Sequence, residues 1–349
     1  MNSENVKLLN KERLDDFLKV LFRDCIVFGP TRKGNMLLFD RIESIDDIVL
    51  GRGNTMNSVK DALFPQKENL FNYRHGDEGT EIQKPSAEEK GMVLFGVRPC
   101  DAQGLLLLDK VFGGGQKDPY YIDKRSKVAI IGIACENPDP ACFCLALGGG
   151  PCSTKGSDLL LIDIGDKYLV KAGTPKGIAF FEEKVFEDAD DEALAKASLV
   201  EKKAEESMNR AALGEAGIGE ALEKRLEKLF DDPIWGEVTE SCLGCGVCTY
   251  LCPTCHCFDI LDETVKSTGE RIRIWDSCQF PLFTRQASGF NPRPSSKERF
   301  RQRIMHKFCY LPKNENLPGC VGCGRCVTKC PVNLDIREVI KKISLREAT

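Results

Sequence analysis

Apolar positions recur with helical period near the start of the chain. Leu14, Phe17, Leu18 and Leu21 follow i, i+3, i+4, i+7 within residues 10–22, and Asn10 is placed to cap that helix. Runs of strand length follow at Cys25–Phe28, Met36–Phe39, Met92–Val97, Val128–Ile133 and Leu159–Ile164. A further strand, KYLVK at 167–171, is set off by Gly165-Asp166, the composition of a tight hairpin turn. Helical patterns lie between some of these strands, so residues 1–180 read as an α/β-like domain. Residues 182–230 are rich in Ala, Glu and Lys and read as helix, with Leu222, Leu226, Leu229 and Phe230 in one stripe. Gly214, Gly217 and Gly219 interrupt that pattern, and Asp231-Asp232-Pro233 ends it. The stretch 181–234 is therefore expected to be a solvated helical connector. From about 235 to 349 the pattern is one of short helices, closed by an amphipathic one carrying Ile336, Val339, Ile340 and Ile343. The whole reads as an α+β protein whose N-terminal part is α/β-like and whose C-terminal part is helical.

The longest apolar runs, such as Val128–Cys135, fall well short of the ~20 residues that span a bilayer, so no membrane span is expected. The N-terminus has no apolar core flanked by basic residues, which argues against a secretory signal and for a cytoplasmic location. With 49 Lys+Arg against 53 Asp+Glu, the formal charge of −4 gives no general reason to bind nucleic acid.

Cysteine changes the picture. There are 18 cysteines and only three histidines in 349 residues. Without an export signal, thiolate metal ligation is the better reading than disulfides. Six cysteines lie before residue 153, none between 153 and 241, and twelve between 242 and 330. SCLGCGVCTYLCP (241–253) and GCVGCGRCVTKCP (319–331) repeat one skeleton, C-x2-C-G-x-C-x3-C-P. This is the run of two-cluster ferredoxins, in which three closely spaced cysteines wrap one [4Fe–4S] cube and the fourth reaches the cube of the other copy. Cluster one is then assigned to Cys242, Cys245, Cys248 and Cys330, and cluster two to Cys320, Cys323, Cys326 and Cys252. The 68-residue gap between the copies is too long for a compact ferredoxin. It resembles the all-helical two-cluster module of succinate dehydrogenase and heterodisulfide reductase iron–sulfur subunits. A pair of four-cysteine zinc sites is the alternative, disfavoured because zinc ribbons pair two short knuckles rather than a triple plus Cys-Pro.

A third site is legible in the N-terminal domain. Met92–Val97 runs into Arg98-Pro99-Cys100-Asp101, and Val128–Ile133 runs into Ala134-Cys135. If these strands are parallel neighbours, both cysteines emerge at the carboxyl edge where α/β sheets place ligands. Cys142-Phe143-Cys144 follows in the next loop. Cys100, Cys135, Cys142 and Cys144 are expected to hold a third [4Fe–4S] cluster, with zinc or buried free thiols as alternatives. Cys25 reads as core and Cys152 as a loop thiol. Neither Gly51-Arg52-Gly53 nor the runs at 113–115 and 148–150 complete a nucleotide-binding motif. Cys255, Cys257, Cys278 and Cys309 either form a further metal site or pack as small thiols, with packing slightly favoured. The basic stretch 291–307, with Arg293, Lys297, Arg299, Arg301, Arg303 and Lys307, is expected to offset cluster charge or dock an acidic partner rather than bind nucleic acid.

The segments FPQKENLF (64–71), FGVRPCDAQGLLLLDKVF (95–112), CFCLALGGGP (142–151), SDLLLIDIGDKYLVKAGT (157–174), CPTCHCFDILD (252–262), RIWDSC (273–278) and ASGFNPRP (287–294), together with the second cluster motif, carry a resemblance over nearly the whole chain. They are similar to the iron–sulfur β subunit of soluble sulfhydrogenases and to the A subunit of anaerobic sulfite reductase. His256 and Phe290 stand where the resemblance leads one to expect Tyr and His. The resemblance implies an electron-transfer subunit of an anaerobic oxidoreductase complex. Its partners would be a flavin subunit using NAD(P)H or ferredoxin, and a catalytic subunit such as a hydrogenase or a sulfite reductase. The chain itself would not be catalytic alone. A self-contained reductase acting near Cys255, Cys257 and Cys278 is the alternative, and a zinc scaffold a more distant one.

Overall fold

The computed structural model describes residues 5–51, 53–85, 90–208, 212–213 and 219–346. Arg52, Gly214 and Gly217, singled out above, lie outside the described residues. Twelve strands occur among the described residues, in chain order: β1 (Val6–Asn10), β2 (Cys25–Lys33), β3 (Met36–Arg41), β4 (Lys67–Gly76), β5 (Gly79–Gln83), β6 (Gly91–Val97), β7 (Val128–Ile133), β8 (Leu159–Asp163), β9 (Lys167–Ala172), β10 (Phe186–Asp188), β11 (Phe258–Val265) and β12 (Thr268–Trp275).

Eight of them form one mixed sheet in the order β10-β1-β9-β8-β7-β6-β2-β3. Its centre is parallel: β2 pairs with β6, β6 with β7, and β7 with β8. These strands read as continuous apolar runs because helices and loops cover both faces; in β7, Val128 to Gly132 are all buried. The Gly165-Asp166 turn does close an antiparallel hairpin between β8 and β9. At the N-terminus the order differs from the helix expected over 10–22. Val6–Asn10 is a strand paired to β9, and the α-helix is Leu14–Asp24, its Phe17, Leu18 and Leu21 buried as the periodicity requires.

The stretch read as a solvated connector is partly buried. The helix Asp191–Glu206 lays Ala193 and Ala197 into the core beside β8 and β9. In the helix Glu220–Lys228, Leu222 and Leu226 join Leu229, Trp235, Phe300, Ile304 and the Ile336–Leu345 helix in one apolar core that supports the cysteine-rich region. That region is helical except for one insertion. Between the two cysteine motifs the chain forms the hairpin β11–β12, whose second strand pairs with β4 to make a four-stranded antiparallel sheet, β11-β12-β4-β5. The hairpin ties the cysteine-rich region to the N-terminal domain. At its root Arg273, 2% exposed, is bracketed by Glu68 and Asp118. No helix among the described residues is long and apolar enough to cross a membrane.

Candidate iron–sulfur centres

The sequence repeat is a structural repeat in its backbone turns. Gly244 and Gly322 both have φ +66°, and Gly246 and Gly324 have φ +76° and +75°. Only glycine takes these left-handed values without strain, which is why the motif places it before the third cysteine. Each second glycine then starts a one-turn helix, Val247–Tyr250 or Arg325–Thr328, and its carbonyl accepts from the nitrogens three and four residues on: Thr249 (2.9 Å) and Tyr250 (3.1 Å) in the first copy, Val327 (2.9 Å) and Thr328 (3.1 Å) in the second.

The assignment crossing the two copies has a geometric counterpart. Cys242, Cys245 and Cys248 of the first copy and Cys330 of the second line one cavity, walled by Phe300, Leu334 and Ile336; Cys326, expected with the other set, lines it too. Cys330 Sγ also accepts from the Leu334 nitrogen at 3.2 Å. Cys252 sits with the other set. Burial pushes the Cys320 thiol up to about 11, with Lys307 opposing and Cys252 and Cys326 adding like charge. Cys323 is raised by burial and feels Cys252 and Cys326 as well. Buried thiols pushed upward in this way are costly as isolated thiolates and need a positive centre to hold them ionised, which iron provides.

The N-terminal thiols also converge. The strands β6 and β7 are parallel neighbours, so Cys100, near the start of the helix Pro99–Gly113, and Cys135 leave the same sheet edge. Burial raises Cys144 to about 12, and Cys135 and Cys142 add to the rise. Cys142 is pushed up to about 11 by burial, with Cys135 next. This edge abuts the second ferredoxin motif. The Phe143 nitrogen donates to Gly322 O at 2.8 Å, and the Asn54 amide donates to Cys323 O at 2.8 Å. Added methyl groups on Gly322 and Gly324 would lie 2.5 Å from the Cys144 nitrogen and 2.8 Å from Ala141, so the two loops touch backbone to backbone.

Residue types missed from sequence complete the site. Arg325, between Cys323 and Cys326, makes a bidentate pair with Asp101 at 2.6 Å on each oxygen and donates to Thr55 O at 2.8 Å; the two ionic side chains are 3% and 1% exposed. Its guanidinium lowers the thiols of Cys100 and Cys135 on one side and Cys323 on the other, against their burial. Arg98 reaches across the sheet edge to Ala134 O at 2.8 Å. The only hint in the sequence was that Arg98 and Asp101 flank Cys100.

The basic stretch turns inward. Arg299, Arg303 and Lys307 are buried. Lys307 Nζ donates to Cys252 Sγ (3.2 Å), Thr254 Oγ1 (2.9 Å) and Gly319 O (2.8 Å), and Arg303 donates to Cys248 O at 3.2 Å. These cations have thiols and carbonyls, not carboxylates, for company, which suits the net charge of about −2 on a [4Fe–4S] cube with four thiolates.

The remaining cysteines separate. Cys309 is fully buried in the apolar core, as packing required, and Cys152 in another. Cys257 and Cys278 meet at the root of the β11–β12 hairpin, where the Asp276 nitrogen donates to Cys257 O at 3.0 Å and the two thiols hydrogen-bond. The free thiol of Cys255 hydrogen-bonds with that of Cys252, which is held low by this hydrogen bond and by Lys307. Among the described residues no group of three or more His, Cys, Asp or Glu side chains is arranged to hold a single metal ion.

Two glycine-turned cysteine loops of one skeleton, set side by side, are the form of an iron–sulfur electron-transfer protein, and residues 241–334 match the 4Fe–4S dicluster domain family. The chain as a whole is 33% identical over 338 residues to the sulfhydrogenase 2 subunit beta of Pyrococcus furiosus, covering 96% of this chain and 97% of that one. It belongs to the sulfhydrogenase beta-subunit family. No solved structure matches it.

Proposed function

We propose that this chain is the iron–sulfur relay of a multi-subunit oxidoreductase, carrying electrons between a flavin subunit that uses NAD(P)H, or a ferredoxin, and a separate catalytic subunit such as a hydrogenase or a sulfite reductase. The observation that carries this reading is continuity. Thiols run from the N-terminal sheet edge, through the second motif across the Gly322–Phe143 contact, to the cavity of the first motif, with Cys326 beside Cys248. In this reading Cys242, Cys245, Cys248 and Cys330 hold one [4Fe–4S] cluster. Cys320, Cys323, Cys326 and Cys252 hold a second, and Cys100, Cys135, Cys142 and Cys144 a third. Each cluster, when bound, supplies a centre that takes up and releases one electron. Arg303, Lys307 and Arg325 bring positive charge to the thiolates, and Phe300, Leu334 and Ile336 give the first-motif cavity an apolar wall. The α/β body (1–180) carries the third set, the module 235–349 the other two, and the stretch 181–234 joins them. The chain alone carries out no substrate chemistry.

The test is compositional. Anaerobically purified full-length protein should contain about twelve iron and twelve labile sulfide per chain, four for each of three cubes. Cys135→Ser, Cys248→Ser and Cys326→Ser should each remove about four of both. Colourless protein carrying zinc would overturn the relay, and an iron content near eight that Cys135→Ser leaves unchanged would remove the third cluster.

A further inference from the structure

The relay reading leaves open where electrons cross to another protein, and any site for that crossing presupposes the relay. All 18 cysteines are described, and only Cys245 is exposed. The first-motif loop is therefore the edge of the thiol chain nearest to solvent. Leu243, two residues before it, is 69% exposed. The wall beside this loop is the segment that follows β12: Phe280 packs against Gly246, and Gln279 O lies next to Gly244.

Beyond Phe280 the chain leaves the body. Residues 281–282 and 285–290 are exposed, and two large apolar side chains, Leu282 at 69% and Phe290 at 61%, stand in water. This is not a slack loop. Its tip is closed by Gln286 N donating to Phe290 O at 2.8 Å, and its base by the Asn291 amide donating to Pro281 O at 2.6 Å, with Thr284 Oγ1 on Asn291 Oδ1 at 2.8 Å. Arg299 clamps its far end through Pro294 O at 2.8 Å. An ordered platform that holds apolar groups outward beside a redox loop is the form of a protein-binding surface. Its charge has one sign: from Ser277 to Lys297 there is no Asp or Glu, while Arg285, Arg293 and Lys297 are present.

We propose that the 281–293 platform, with Leu243 and Cys245, is the docking surface for an electron-carrying protein that presents an acidic face. The apolar residues supply the contact that holds the two redox groups close. The arginines steer the encounter and set its orientation, as single-sign charge does at other fast association surfaces.

A small acidic ferredoxin, reduced with dithionite and mixed by stopped flow with the cluster-loaded full chain, is the probe. Wild-type reduction should be fast at low ionic strength and fall steeply with added salt. Arg285→Glu/Arg293→Glu should slow it by at least about tenfold at low salt and flatten the salt dependence. Phe290→Ser should slow it at every ionic strength. Reduction by methyl viologen radical, which needs no protein surface, should be unchanged in both variants. Wild-type rate and salt dependence in the charge-reversed variant would overturn the docking surface and leave the relay standing. Clusters that not even the viologen radical reduces would overturn the relay itself. A wild-type dimer that Phe290→Ser dissociates would show that a second copy covers the platform, and would also overturn the proposal.

Discussion

Arg325→Met tests whether the junction between the N-terminal sheet edge and the second motif is held by one buried ion pair. The change keeps most of the stem volume and deletes two 2.6 Å bonds to Asp101, one to Thr55 O and a longer one to Thr55 Oγ1 at 3.3 Å. Asp101, 1% exposed, is left charged with no cation in contact. Removing one partner of a buried pair costs about 3–5 kcal/mol, a large share of the ~5–15 kcal/mol that holds a typical protein folded. Because unfolding of a cluster protein is irreversible, the readable quantity is a half-life. If the pair is absent from the unfolding transition state, that cost shortens the half-life of the visible absorbance by roughly a hundred- to a few-thousand-fold. Arg325→Met/Asp101→Leu removes both charges and should recover most of the loss, since an apolar replacement of a buried pair is often near neutral. A half-life for Arg325→Met within about threefold of wild type would refute the reasoning, as would a double variant no better than the single.

Two further outcomes follow from the same geometry. Gly322→Ala places a methyl 2.5 Å from the Cys144 nitrogen and demands a left-handed backbone of alanine, so it should open the contact between the two loops. Iron should be lost from the cluster sites flanking that contact and spared in the first-motif cavity, as read by iron analysis and EPR. The rings of His256 and His306 meet edge to face at 5.5 Å, and burial lowers both to about 4, with Lys307 and Lys60 adding to the effect on His256 and the charge of His256 adding to it on His306. Each binds its proton more weakly folded than unfolded, so the stability of the neutral forms is full above about pH 6.5 and is lost as pH falls toward 4. The contribution is up to about 1.4 kcal/mol per pH unit for each ring. His306→Asn should flatten the acid limb of a stability–pH profile, and an unchanged slope would count against the buried pair.

Much of the site was legible because its information is local. The two C-x2-C-G-x-C-x3-C-P runs carry their own turns, and the glycines at 244 and 246 and at 322 and 324 set the same dihedral angles in both copies wherever the loops lie. The central strands were legible for a similar reason, since a strand covered on both faces must be apolar throughout. The hairpin β11–β12 was not: β11 is exposed along its length, and the core position Arg273 of β12 is charged, so its pattern speaks against a buried sheet.

What the sequence by itself determined is the count, type and spacing of the cysteines, and so the kind of inorganic group they suit. The tertiary structure alone decided which charges meet them. Arg273 is tolerable only because Glu68 arrives from β4, Arg325 only because Asp101 arrives from 224 positions away, and Arg303 and Lys307 only because they meet thiols instead of water. A buried charge is stable only beside its partner, and when that partner is distant along the chain no spacing rule records the pairing.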